Sequence, residues 1–520
     1  MSAAQQSEAS ERTGPRQESY DVAVVGAGLG GLCVAAALAK LGKSVLVVEQ
    51  HTAPGGYAHV FKRDGYLFDP AIHYTAQGND GELLDVLLRL LGVRDDVNLI
   101  TSKLEYGVQF PGLRVMPPVG IDEFIEENAR HFPHEADGIR GFLQLCVDAT
   151  RESQQAAQRL SLAELDRAVD QLPLLIRYRM STVSEVVDEF VSDPKAKALC
   201  TAAWPYMGPP PSKASFMVYA GLLFATLEKG PIYVGGSFQK LADAFVTALE
   251  NNGGELVLGT RVDRIPVEDG SVTGVVLEGG QEIRASTVVS NADALQTFDR
   301  MIGKEHVPRQ LARQLERMKP SDSAFIVFAA TTIDVEQAGL PHEMLIYKHW
   351  DHEQTYADVL AGKPGGMWIT FPTTFDPRLA PEGEHLVIIS SLAPYDVGEP
   401  WSEARERYKE SMLDEAEAIL PGFREQLTFV ETATPEAFER YTLNHRGAIY
   451  GWAATPNQST GKRLKQRTPI EGLFLSGHWT EPGAGSFRAI FSGVTAATQI
   501  AGLAGLDDFG KALAGVPTNV

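Results

Sequence analysis

The apolar positions near the start of the chain trace a strand, a helix and a second strand in quick succession. Asp21–Val25 (DVAVV) is a short β-branched run without polar alternation, the pattern of a strand covered on both faces. Leu32–Leu41 is rich in Ala and Leu and stops at Gly42, which predicts a helix, and Ser44–Val48 is a second buried strand closing on Glu49. Apolar spacing of about 3.6 residues predicts helices over Ile121–Phe132, Asp137–Leu160 and Thr182–Phe190. Pro209-Pro210-Pro211 interrupts the chain before another helical stretch, Ser212–Leu227. Beyond these come a helix near Val307–Met318, strand-like Ala324–Thr331, a buried strand Leu386–Leu392 and a helix Trp401–Leu420, without internal repeats.

Between the first strand and helix stand Gly26-Ala27-Gly28-Leu29-Gly30-Gly31. Gly26 suits the tight turn, Gly28 lets backbone approach a pyrophosphate, and Gly31 lets helix and strand pack closely. A pyrophosphate would then sit on the positive end of the helix, where free N–H groups point at it. Glu49 follows Gly31 by 18 residues and ends the second strand, where a carboxylate accepts hydrogen bonds from ribose hydroxyls and repels a 2′-phosphate. The candidate dinucleotide contacts are Gly26, Gly28, Leu29, Gly30, Gly31, Glu49 and the adjoining Gln50.

This unit alone leaves FAD and NAD open. Pro54-Gly55-Gly56, followed by Gly65-Tyr66-Leu67-Phe68-Asp69, resembles the flavin amine oxidase and phytoene desaturase superfamily. Four further blocks resemble it in order: Tyr233–Ser237 leading into a helix over Phe238–Leu249, Gly254–Ile265, Thr287–Asp293, and Gly472–Gly493. The resemblance implies FAD, with Gly55, Gly56 and His59 near phosphates or the ribityl chain and Val262 behind the adenine. It also implies Gly477, Gly485, Ser486 and Phe487 beside the isoalloxazine. The implied fold class is α/β: a discontinuous Rossmann-like FAD-binding domain (20–110, 233–300 and 440–505) with an inserted α+β substrate domain (111–232 and 301–439). Residues 1–19 are expected to be a disordered tail and 506–520 a C-terminal tail.

Within the superfamily, His59, Phe61, Phe68, Asp69, Ile72, His73 and Tyr74 resemble a run of the retinol saturase and carotenoid isomerase branch, as does Asn444–Trp452. Three departures stand out. Pro70-Ala71 replaces a pair ending in Gly, His478 stands where many relatives have an acid, and Arg488 stands where they often have a small or apolar residue. A positive charge at Arg488 suits either an anionic reduced flavin or a substrate carboxylate.

Composition narrows the setting. The formal net charge of −21, spread along the chain, argues against nucleic acid as a partner. Three isolated cysteines, Cys33, Cys146 and Cys200, suit buried apolar positions in a reducing cytoplasm and neither a disulfide framework nor a metal site. No stretch is long and apolar enough to span a bilayer. Leu172–Met180 (LPLLIRYRM) reads either as a core helix with a basic edge or as a peripheral membrane contact, and the oligomeric state is left open.

The expected activity is an FAD oxidoreductase acting on carbon–carbon double bonds of a long hydrophobic polyene, terpenoid or lipid. Its electron partner is open among NAD(P)H, a quinone and oxygen. Three alternatives stay open: a redox-neutral cis–trans isomerase, an amine oxidase, and a non-catalytic flavin-binding scaffold. By resemblance, His73 and Tyr74 are the candidate proton-handling groups, with Arg488 as a third candidate; Tyr450 and Trp452 are candidate pocket walls, and Asp69 is expected only to cap a turn.

Overall fold

In a computed structural model, which describes residues 14–159 and 172–515, the first apolar run is an interior strand, Ser19–Val25. It pairs in parallel with Val45–Val48 on one side and Glu282–Ser290 on the other, and Glu255–Val257 continues the sheet beyond Val45–Val48. Glu282–Ser290 also takes Leu473–Leu475 in parallel near its end and Gly274–Leu277 antiparallel near its start; Val262–Arg264 forms the edge of this seven-stranded sheet. Every residue of Val45–Val48 is buried, which is why the run shows no polar alternation.

The first helix is Leu29–Lys40, beginning three residues before the expected Leu32. Poor helix propensity at Gly30 and Gly31 is overridden by close packing. A Cβ at Gly31 would lie 2.2 Å from the Gly26 carbonyl oxygen, and one at Gly30 would lie 2.7 Å from the Gly477 nitrogen. The helix lies between Gln239–Asn251 and the closing helix Ser486–Ile500, whose Gly493 approaches so near that a Cβ there would meet the Gly30 carbonyl at 2.6 Å.

A second seven-stranded sheet runs in the order Leu427–Ala433, Ser323–Thr331, His385–Ala393, Met367–Thr370, Glu343–Ile346, Gly107–Phe110, Leu113–Val115. It is antiparallel except where Gly107–Phe110 joins Glu343–Ile346. Along Ser323–Thr331 the two faces alternate. Phe325, Val327 and Ala329 pack in the core that includes the helix Trp401–Ile419, while Ala324, Ile326 and Phe328 face the first domain. Helices Ile121–Arg130, Ala136–Arg159 and Phe216–Leu227 cover the other end of this sheet around Phe110, Leu345 and Trp368.

Several expectations are corrected. Gly107–Phe110 belongs to the second sheet, not the first domain, and the helix Arg309–Arg317 buries Leu311 and Leu315 in the core of the first sheet. The expected C-terminal tail holds a helix, Leu506–Leu513, because Phe509 and Leu513 fall on one face and bury against Leu83–Leu91 and the closing helix. The expected N-terminal tail is tied down at its end, where the Arg16 N–H donates to Glu255 at 3.0 Å and Ser19 joins the strand; residues 1–13 lie outside the described residues. Thr182–Phe190 contracts to Val183–Val187, started by a Thr182–Glu185 capping box. In Leu172–Met180 the helix is Pro173–Tyr178; Tyr178 is buried, while Ile176 and Met180 are exposed and Arg177 pairs with Glu189. The three cysteines are free and buried. Among the described residues no helix is long and apolar enough to cross a membrane, and no cluster of potential metal ligands occurs.

Candidate active site

One cavity of about 840 Å³ runs along the junction of the two sheets, within the range of small-molecule and cofactor pockets. At one end it is lined by Gly26, Gly28, Leu29 and Gly30 at the start of the first helix, and by Glu49, Gln50 and Val262. Gly28 caps that helix with no side chain, so the first-turn N–H groups are open to a ligand. A Cβ at Gly28 would meet the Asn291 side-chain amide at 2.6 Å, so any side chain there would have to displace Asn291. The Glu49 carboxylate is held in place by the Ala27 N–H at 2.7 Å and the His51 N–H at 2.8 Å. This arrangement fits a dinucleotide: an open helix start for the pyrophosphate and a fixed acid for the ribose.

The loop after the second strand carries the cavity inward. Gly55 adopts φ +121°, a conformation that favours glycine, and its N–H donates to the Ala27 carbonyl at 2.8 Å. The loop therefore lies against the glycine turn, with Gly56 and His59 on the cavity wall. The His59 ring is bonded to the Gly56 carbonyl through Nδ1 at 2.8 Å, and burial lowers its pKa. Asp69 does more than cap a turn. It is buried, accepts the Tyr233 hydroxyl at 2.6 Å and the Phe238 N–H at 3.0 Å, and so ties this loop to the turn before Gln239–Asn251. Burial raises its pKa to about 7.

Farther in, the cavity becomes a chamber walled by Tyr74, Tyr206, Met207, Leu222, Trp368 and Ile449. His73 faces it and is bonded through Nδ1 to the Glu343 carboxylate at 3.1 Å. The Tyr206 hydroxyl donates to the other Glu343 oxygen. Glu343 is 1% exposed, and burial raises its pKa against the pull of His73. His342 holds the loop from behind. Burial lowers its pKa to about 4, so it is neutral, and its Nε2–H donates to the His73 carbonyl at 2.8 Å. Tyr74 stacks edge-on against Tyr206, and its hydroxyl has no protein hydrogen-bond partner among the described residues. Chemically, the chamber offers an apolar slot with a histidine and a tyrosine on one wall, joined behind it by a buried carboxyl.

The closing motif supplies the opposite wall. Gly477 donates its N–H to the Ser492 hydroxyl at 2.7 Å, Gly485 caps the closing helix, and Ser486 bonds Thr75 at 2.9 Å. Phe487 and Arg488 follow into the cavity. His478 is held neutral, its pKa pushed down to about 3 by burial and by the nearby Arg463. Tyr450 and Trp452 also line the cavity.

Of the candidate site residues, Gly31 alone is away from the cavity; it is the packing contact between turn and helix. Sequence reasoning missed Tyr206 and Arg463 on the cavity wall and Glu343 behind it, and also the buried Glu105, which is not on that wall. Glu105 is buried against the Thr226 hydroxyl with its pKa raised to about 8 by burial. The one available signal was an acid, Glu343, directly before the apolar run Met344–Ile346 and hence at the buried end of a strand.

Residues 29–501 match the family described as flavin containing amine oxidoreductases. Among curated proteins, the chain is 28% identical to prolycopene isomerase 1 of an Oncidium hybrid cultivar, over 94% of this chain and 85% of the relative. It is 29% identical to the neurosporene-forming phytoene desaturase of Rhodobacter capsulatus, over 92% and 93%. It is 25% identical to all-trans-retinol 13,14-reductase of Danio rerio, over 88% and 82%. Among solved structures, cyclohexylamine oxidase from Brevibacterium oxydans shares the fold, with a TM-score of 0.63, 18% identity, and coverage of 93% and 99%.

Proposed function

The chain belongs to the flavin-containing amine oxidoreductase family, and from that premise we propose that it is an FAD enzyme that adds or removes hydrogen across a carbon–carbon double bond of a long hydrophobic polyene, terpenoid or lipid. The observation that carries this reading is the continuity of the dinucleotide cradle with an apolar chamber that presents His73 and Tyr206 on one wall, both bonded to the buried Glu343 behind them. Relatives named as a desaturase, a reductase and an isomerase of carotenoids or retinol support the substrate class.

FAD when bound supplies hydride exchange at its N5 position. The chain's own residues do the rest. Gly28–Gly30 and Glu49 hold the nucleotide end, and the wall around Ile449 and Trp368 excludes water from the double bond. His73 moves a proton at the carbon opposite the hydride, with Glu343 fixing the ring and sharing the proton through Nδ1. Tyr206 steadies Glu343, and Tyr74 closes the slot. Saturation needs a reductant and desaturation an acceptor, so NAD(P)H serves the first direction and a quinone or oxygen the second. The exposed Ile176 and Met180 beside Arg177 and Arg179 suit brief contact with a lipid surface that delivers such a substrate.

A second reading, redox-neutral cis–trans isomerisation, is favoured by the isomerase relative, which matches over 94% of this chain. One experiment separates the two. The FAD-loaded protein, oxidised or photoreduced without oxygen, is incubated with polyene substrates and the products are weighed by mass spectrometry. A gain of one H₂ identifies a saturase and a loss of one H₂ a desaturase. An unchanged mass at a new retention time identifies an isomerase. No change of either kind, in either redox state, overturns both readings and leaves an amine oxidase or a flavin-binding scaffold.

A further inference from the structure

The cationic wall of the chamber bears on the end group of the substrate, given that the reading above holds. Arg488 lies on the first turn of the closing helix and reaches the helix Phe216–Leu227, where it donates to the Val218 carbonyl at 3.4 Å. That long bond is its only hydrogen bond among the described residues, and no carboxylate among them pairs with it. A guanidinium carries five N–H donors in a fixed fork, so most of them are left for a ligand. The facing helix is cut to admit it: a Cβ at Gly221 would lie 3.0 Å from Nη2, and glycine inside a helix is otherwise unfavourable. Arg463, on the same wall, is committed elsewhere. Its Nη2 donates to the carbonyls of Tyr450 at 2.9 Å, Trp452 at 3.0 Å and His478 at 2.9 Å. A protein of net charge −21 thus turns an uncompensated cation inward, against an apolar chamber, an arrangement that is costly unless a ligand brings the counter-charge.

We infer that Arg488 binds the carboxylate of an otherwise apolar substrate, so that the enzyme acts on an amphipathic acid of the polyene, terpenoid or fatty type rather than on a pure hydrocarbon. The fork matches the two oxygens of a carboxylate, and anchoring one end sets which double bond lies beside His73. The anionic edge of a reduced cofactor is the other source of the same chemistry, and the test separates the two.

The FAD-loaded protein is titrated with a long-chain polyene carboxylic acid and with its methyl ester, followed by quenching of the cavity tryptophans Trp368 and Trp452. The acid is expected to bind roughly tenfold or more tightly than the ester. In R488M that preference disappears through weaker acid binding, while ester binding changes by about twofold or less. R488K keeps the charge without the fork and the fold with it, and gives an intermediate preference. Equal binding of acid and ester by the native chain overturns the inference. So does an R488M protein whose flavin midpoint potential shifts while the acid preference stays, since Arg488 would then serve the reduced cofactor. Failure of the reaction reading appears elsewhere: acid selectivity with no change in the mass or retention time of any polyene refutes the chemistry and leaves the anchor standing.

Discussion

Replacing Asp69 by Asn tests the electrostatics of the loop that carries the site. Asp69 is 3% exposed and accepts hydrogen bonds from the Tyr233 hydroxyl and the Phe238 N–H. Burial outweighs these bonds and raises its pKa from 3.8 to about 7. At about 1.36 kcal/mol per pH unit, that displacement corresponds to about 4 kcal/mol. The sign follows from proton binding. Between about pH 4 and pH 7 the unfolded chain has lost this proton and the folded chain keeps it, so the contribution is full below pH 4 and is lost as pH rises toward 7. Asn keeps an acceptor for Phe238 and cannot ionise. Urea unfolding of FAD-loaded native and D69N proteins, from pH 4 to pH 8 at fixed salt, gives the difference in stability. The native chain is expected to lose about 4 kcal/mol relative to D69N over that range, with a slope near 1.4 kcal/mol per pH unit that levels off above pH 7. A difference flat to within about 1 kcal/mol, or one that favours the native chain as pH rises, refutes a neutral buried Asp69.

Other outcomes follow from the same geometry. G31A places a methyl 2.2 Å from the Gly26 carbonyl, which no side-chain motion relieves, so the purified variant is expected to carry roughly tenfold less flavin per chain by absorbance. E343Q keeps the shape of the side chain but removes the acid behind His73, and turnover is expected to fall by about 10² or more with flavin content unchanged. H73Q should cost about as much, and the double variant little more, because the two act as one unit; full turnover by E343Q excludes the relay. Asp85 is a buried carboxylate held by Arg89 at 2.8 Å and Arg94 at 2.6 Å, with its pKa lowered to about 2. D85N is expected to cost about 2 kcal/mol at neutral pH, and the loss vanishes as pH falls from about 4 toward 2, measured by denaturant midpoints.

The nucleotide half of the site was legible because its chemistry is local. A turn, a helix start and an acid at fixed spacing are written consecutively from Gly26 to Glu49. Even there, Gly30 and Gly31 pushed the expected helix start to Leu32, since backbone approach and not propensity decides those positions. The chamber was less legible because its pairs are distant. His73 and Glu343 are 270 residues apart, and nothing in either neighbourhood announces the other. Arg463 stands in the basic run Lys462–Lys465, which reads as a solvated edge, yet three backbone carbonyls draw it inside. Leu506, Phe509 and Leu513 did carry a helical spacing, but Gly505 and Gly510 masked it.

The interlocking of the two ends of the cavity also constrains how the chain can mature. Ser486 touches the Tyr74 carbonyl across 412 residues of sequence, and Gly493 seals against Gly30. At ribosomal speeds of about 5–20 residues per second, the glycine turn waits some tens of seconds before its lid is made. Through that interval the apolar strand Ser19–Val25 lacks first Glu282–Ser290 and then the closing helix, which leaves apolar surface of the kind that favours aggregation uncovered. The cradle is therefore complete only once the closing helix has been made, which places flavin acquisition late in the life of the nascent chain.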